Sequence, residues 1–231
     1  MRTPFSGGCG VLQANSLPAV VAARLAIGAA SIGLLGTILI FIRYSPAATT
    51  LAIAIGILSW AYSAPPTRLL ARGLGELNVT IVVAMLVPLF GYAMQTGTID
   101  IRALLSTLPA ACAMFAMMLC VEIPDREADG VSGKVNLLVR FGMHRARRII
   151  ELSILALFVV AAAAAVLGAV PATFAYFALG TVPVAISLWR NLERPAILGG
   201  AIAARGVLLF AVTVACGALG YAVAIFETGS V

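Results

Sequence analysis

Apolar residues run along this chain in seven long blocks, separated by polar stretches of very unequal character. The blocks cover Ala19–Ile42, Ala47–Tyr62, Asn78–Met94, Ala103–Val121, Ile149–Gly168, Ala172–Trp189 and Ala201–Phe226. They repeatedly reach the length of about 17 to 25 residues that a helix needs to cross a bilayer. They are continuous and rich in Leu and Ala, whereas barrel strands alternate apolar and polar residues over roughly ten positions. The pattern predicts an all-α, multi-pass transmembrane bundle of seven spans and excludes a membrane barrel.

Composition agrees: 62% of the residues are hydrophobic and 10% charged. The charges are unevenly placed. One side of the bundle holds Arg2, Arg24, Arg68, Arg72, Arg126, Lys134, Arg140, Arg145, Arg147, Arg148, Arg190, Arg194 and Arg205, the other Arg43 and Arg102. The rich side is expected to be cytoplasmic, which puts the N-terminus inside and Val231 outside. The net charge of +6 follows from that topology, so no nucleic-acid partner is expected. Cys9, Cys112, Cys120 and Cys216 lack CxxC spacing and are expected to pack rather than to bind metal or pair. Gly28, Gly33, Gly36 and Gly56, small residues in the first two spans, are expected to let helices approach closely.

The links on the arginine-poor side, Arg43–Pro46, Gln95–Arg102 and Ala169–Pro171, are short and featureless. Chemistry concentrates in the other set: "SAPPTRLLARGLGE" (63 to 76), "EIPDREADGVSGKVNLLVRFGMHRARR" (122 to 148) and "RNLERP" (190 to 195). Four of the nine acidic residues fall in "VEIPDREADGVSGK" (121 to 134). Asp125 and Asp129 stand four apart, and Glu122 lies three residues earlier. If the fourth span continues helically beyond the membrane, all three carboxylates share a face that can hold a hard cation. Pro124 should kink that helix or start a new turn. Magnesium held by carboxylates commonly bridges to phosphate oxygens; an EF-hand is excluded because its ligand spacing and terminal Glu are missing. On spacing alone, a solvated charged loop fits as well. What favours a binding role is the company of Lys134 and Arg140, and of Arg68 and Arg72 on the neighbouring loop, which could converge on one diphosphate.

The segment "EIPDREADGVSGKVNLLVRFG" (122 to 142) resembles the second aspartate-rich motif of the UbiA superfamily of membrane prenyltransferases, a DxxxD pair followed by Gly-Lys and an L-x-V-R-x-G ending. "YSAPPTRLLARGLGE" (62 to 76) is similar to that family's Y-S-x-P-P-x-R-L-K-x-R-G-x-G-E loop, and "SGGCGVL" (6 to 12) to the Gly-rich segment after its first motif. Together they are most similar to the branch that prenylates 1,4-dihydroxy-2-naphthoate in menaquinone synthesis. The likeness spans nearly the whole chain in order, as one domain over residues 1–231.

The resemblance implies a helical bundle with a central cavity open to the cytoplasm and to lipid, in the inner membrane of a bacterium. There a polyprenyl chain passes from its diphosphate to an aromatic acceptor with the help of Mg2+. Asp125 and Asp129 would then be the catalytic metal ligands, with Glu122 beside them. Arg68, Arg72, Lys134 and Arg140 would face the diphosphate, Glu76 and Asn78 would orient the acceptor at the cavity mouth, and Tyr62, with Trp60, would shield the cation. Structural roles compete at each: membrane anchoring for the basic residues, a helix start for Glu76 and Asn78. Arg145, Arg147 and Arg148 are expected to be anchors and His144 a loop residue.

Two departures change the expectation. Leu70 replaces the usual lysine of R-L-K, and the family's first motif, N-x-x-x-D-x-x-x-D, is absent along with its first two helices, leaving seven spans of the usual nine. The chain reads as an N-terminally shortened member that does not catalyse transfer by itself, because diphosphate would be clamped by one carboxylate cluster instead of two. The alternative function is an inactive remnant or a membrane partner protein. A retinal protein is excluded because the single lysine, Lys134, lies in a loop, and a transporter because no charged group lies at mid-bilayer.

Overall fold

The computed structural model describes residues 18–131 and 135–228. Among the described residues seven helices are long and apolar enough to cross a membrane: α1 (Val20–Arg43), α2 (Pro46–Ser63), α3 (Gly75–Thr96), α4 (Ile101–Asp125), α5 (Leu137–Val166), α6 (Ala172–Asn191) and α7 (Ile197–Glu227). No strand occurs among the described residues. This is the all-α multi-pass architecture that the apolar blocks predict.

Local chemistry sets the helix ends. Ser45 caps α2, its hydroxyl accepting from Ala48 N at 3.1 Å with Pro46 in the first helical position, and Asp100 caps α4 by accepting from Arg102 N at 2.9 Å. Gly97 closes α3 at φ +76°. Within α3 the turns widen to π-helix over Thr80–Leu86, just ahead of Pro88, whose ring nitrogen has no hydrogen to donate into a regular ladder. Pro124 makes the turn its ring demands: α4 tightens to a 3-10 turn over Ile123–Asp125, and a short helix, Arg126–Val131, follows. The fifth helix begins twelve residues before its apolar block, because Arg140 to Arg148 sit on helical turns outside the lipid-compatible stretch. It is broken at Gly142, which takes φ 74° and ψ 165°.

α4 is the central helix. It packs against α3, α5 and α7, and Ala113, Ala116, Leu119 and Cys120 are fully buried among Ile150, Leu157, Leu188, Ile202 and Leu209. Small residues of α7 make this possible. A Cβ on Gly206 would lie 2.6 Å from Cys120 Cβ, and one on Gly220 2.6 Å from the Phe174 backbone of α6. Phe174 also meets Tyr221 edge-on, with ring centroids 5.4 Å apart.

The glycines expected to bring helices together are different ones. Nothing lies within 4 Å of a Cβ built on Gly28, Gly33, Gly36 or Gly56. α1 packs chiefly on α2 and its spanning stretch is not buried by the described chain, so close approach at these glycines does not occur within it.

Candidate active site

The two motif-bearing loops meet on the arginine-rich side, at the feet of the α3–α4 hairpin. The first loop leaves α2 through the cis Pro65–Pro66 peptide. Thr67 Oγ1 closes it by donating to Ala61 O and Ala64 O at 3.0 and 3.2 Å. Arg68 adopts a left-handed backbone (φ 45°), Leu69–Arg72 forms a 3-10 turn, and Gly73 is left-handed again (φ 73°). Gly73 has a second reason to be glycine, since its Cβ would stand 3.1 Å from Val135 O and 3.8 Å from Arg140 Cδ on the other loop.

Glu76 makes the join. It is 1% exposed, and its Oε1 accepts from Leu137 N at 2.6 Å, the first residue of α5. Its other oxygen, Oε2, is buried without a hydrogen-bond partner among the described residues. Asn78, also buried, donates from Nδ2 to Leu58 O at 3.2 Å, and its Oδ1 is likewise a buried acceptor with no partner among the described residues. Burying an acceptor without a donor is costly, so both oxygens call for a donor from beyond the described residues.

The acidic run keeps one face inward. Glu122 and Asp125 are buried and Asp129 is half-buried, while Arg126 and Glu127 between them are exposed, the alternation that 3-, 4- and 7-residue spacing produces. Asn136, wholly buried, donates from Nδ2 to Asp129 Oδ2 at 2.8 Å, and its Oδ1 caps α5 by accepting from Val139 N at 2.7 Å. Sequence reading passed over Asn136. The signal available was an Asn directly before the apolar run "LLV", the signature of a helix start.

The structure gathers Glu76, Asn78, Asp129, Asn136 and Arg140 around the two loops. Arg68 and Arg72 are exposed on the first loop, Arg72 donating from Nη2 to Pro66 O at 3.0 Å. Arg140 is exposed, its guanidinium 5.8 Å from the Phe141 ring centre. Tyr62 lines a groove of about 190 Å³ with Ser59 and Asn78. Lys134 lies outside the described residues. Among the described residues no three His, Cys, Asp or Glu side chains form a metal-binding group. The donors nevertheless suit magnesium, a hard ion that is typically bound by one or two carboxylates and completes its shell with water and phosphate oxygens.

A larger apolar groove, about 470 Å³, runs into the membrane between α3, α4 and α5. It begins at Leu77, next to Glu76, and passes Ile81, Met85, Cys112, Phe115 and Ser153.

The family model described as the UbiA prenyltransferase family matches residues 13–196, which takes in α1 to α6 and both loops. No curated protein and no solved structure matches the chain.

Proposed function

Because this chain belongs to the UbiA prenyltransferase family, we propose that it is a membrane prenyltransferase that moves a polyprenyl chain from its diphosphate onto a hydroxylated aromatic acceptor, as in menaquinone-like quinone synthesis. The observation that carries this reading is the Glu76–Leu137 hydrogen bond, which joins the end of the basic loop to the start of α5, where Asn136 donates to Asp129. The join supports a reading in which cationic and anionic groups share one mouth, the arrangement a diphosphate bound with a metal ion requires. The arginine-rich side faces the cytoplasm in this reading, by the bias of basic residues.

Each side chain has a task. Asp125 and Asp129, with Glu122 as an accessory ligand, would hold Mg2+, which would supply charge neutralisation on the leaving diphosphate. Arg68, Arg72, Arg140 and Lys134 bind the diphosphate oxygens and stabilise them as the bond to the prenyl carbon breaks with its electron pair. The prenyl tail lies in the apolar groove that starts at Leu77. Glu76 Oε2 and Asn78 Oδ1 accept from hydroxyl groups of the acceptor, whose ring carbon forms the new bond and then loses its proton. Tyr62 covers the same corner and keeps water from the allylic cation.

The test is prenyl transfer by membranes carrying the chain, with a radiolabelled allylic diphosphate, 1,4-dihydroxy-2-naphthoate and magnesium. If one carboxylate cluster suffices, product forms and falls roughly a hundredfold or more in Asp125→Asn or Asp129→Asn; no product from the unaltered chain bears out the expectation that it does not catalyse transfer by itself. Full activity in either variant removes these ligands from the mechanism. Product from the unaltered chain also shows that a single carboxylate cluster suffices.

A further inference from the structure

A second groove, of about 320 Å³, lies between α5 and α6, away from the motif loops. Its walls are Ile154, Leu155 and Phe158 on α5, and Val182, Ile186 and Trp189 on α6, and it ends at Arg190. On α6, Val182, Ile186 and Arg190 recur every four residues and share a face. On α5, Arg148 precedes Leu155 by seven residues, two turns, and so stands above it on the same face, with Leu152 between them. Arg148, Leu152, Leu155 and Arg190 are all exposed, and Trp189 is 42% exposed at the rim. Each wall therefore carries one outward guanidinium at the arginine-rich end. Their neighbour Arg147 is paired with Glu151 at 2.7 Å, whereas among the described residues neither Arg148 nor Arg190 has an acidic partner.

We propose that this groove is a binding site for an anionic phospholipid of the leaflet on the arginine-rich side. One acyl chain lies along Leu155, Phe158 and Ile186, and the headgroup phosphate is held between Arg148 and Arg190. The apolar walls alone would accept any lipid tail. It is the pair of uncompensated cations, one per wall and both at the headgroup end, that selects negative charge. Trp189, an amphipathic ring suited to the interface, closes the site at glycerol depth.

Trp189 also reports occupancy. The chain has two tryptophans, so the Trp60→Phe variant leaves Trp189 as the sole emitter. This variant is placed in phosphatidylcholine vesicles, and a small fraction of the lipid is replaced by phosphatidylglycerol or by phosphatidylcholine, each brominated near the headgroup end of its acyl chains. Brominated phosphatidylglycerol is expected to quench Trp189 at a several-fold lower mole fraction, since each arginine near the surface contributes a preference of roughly fivefold. Arg148→Gln with Arg190→Gln, both surface changes, should make the two lipids equivalent. Equal quenching by the two lipids in the Trp60→Phe protein overturns the proposal. So does a preference that survives loss of both arginines.

Discussion

Asn136 donates to Asp129 at 2.8 Å with one end of its amide and caps α5 through Val139 N–H at 2.7 Å with the other. One buried side chain thus joins a carboxylate of the acidic run to the start of the next helix. The two bonds can be separated. Asn136→Ser keeps an oxygen for the cap but is too short to reach Asp129; Asn136→Ala loses both. The alanine variant should lose about 1 kcal/mol of stability, the usual worth of an N-cap, in thermal unfolding in detergent. The serine variant should unfold within a few tenths of a kcal/mol of the parent yet transfer prenyl groups about tenfold more slowly. A serine variant with parental turnover would show that Asp129 needs no such support.

Glu76 offers a similar separation. Glu76→Gln retains an oxygen for Leu137 N–H, so stability should hold while the oxygen offered to the acceptor becomes an NH2 donor. The apparent KM for the aromatic acceptor should rise, with that for the prenyl diphosphate unchanged. Glu76→Ala strands a buried N–H and should cost about 1 to 3 kcal/mol. Parallel changes in both KM values for the glutamine variant would argue against a role in acceptor binding.

Gly206 and Gly28 make a matched pair. Gly206→Ala drives a methyl to 2.6 Å from Cys120 Cβ, an overpacking that should destabilise the bundle by about 1 to 3 kcal/mol. Gly28→Ala meets open space on an exposed helix and should be neutral or stabilising by up to about 1 kcal/mol. Comparing thermal midpoints of the two variants checks the direction of both.

Gly142 is constrained by its backbone alone. It sits at φ 74°, ψ 165°, with nothing within 4 Å of a built Cβ. Gly142→Ala should cost about 1 to 3 kcal/mol of conformational strain, and Gly142→Ser much the same, since no contact distinguishes them. A variant as stable as the parent would mean that the helix break relaxes at no cost.

Much of this was legible in the sequence, and what escaped has identifiable causes. Seven spans announced themselves because lipid demands long apolar runs, and the inward face of Glu122, Asp125 and Asp129 followed from helical spacing once α4 continued through Pro124. The start of α5 was hidden by Arg140 to Arg148, which are helical but polar. The glycines misled because composition cannot show which small residue faces a neighbour: Gly206 and Gly220 do, Gly28 and Gly36 do not. Glu76 was legible as a polar residue opening a helix, but its partner is 61 positions away, beyond the reach of any local pattern.

That separation has a meaning for how the protein is made. Glu76 and Leu137 stand at the two feet of the α3–α4 hairpin, so the ribosome delivers the carboxylate well before its partner. While α3 and α4 are being made, the Leu137 amide is not yet available to the Glu76 side chain. Only when the first turn of α5 emerges is there an amide to receive it. The first four helices are therefore synthesised before that bond can form. The join at the base of the hairpin thus waits on the fifth helix, whose first residue supplies the amide.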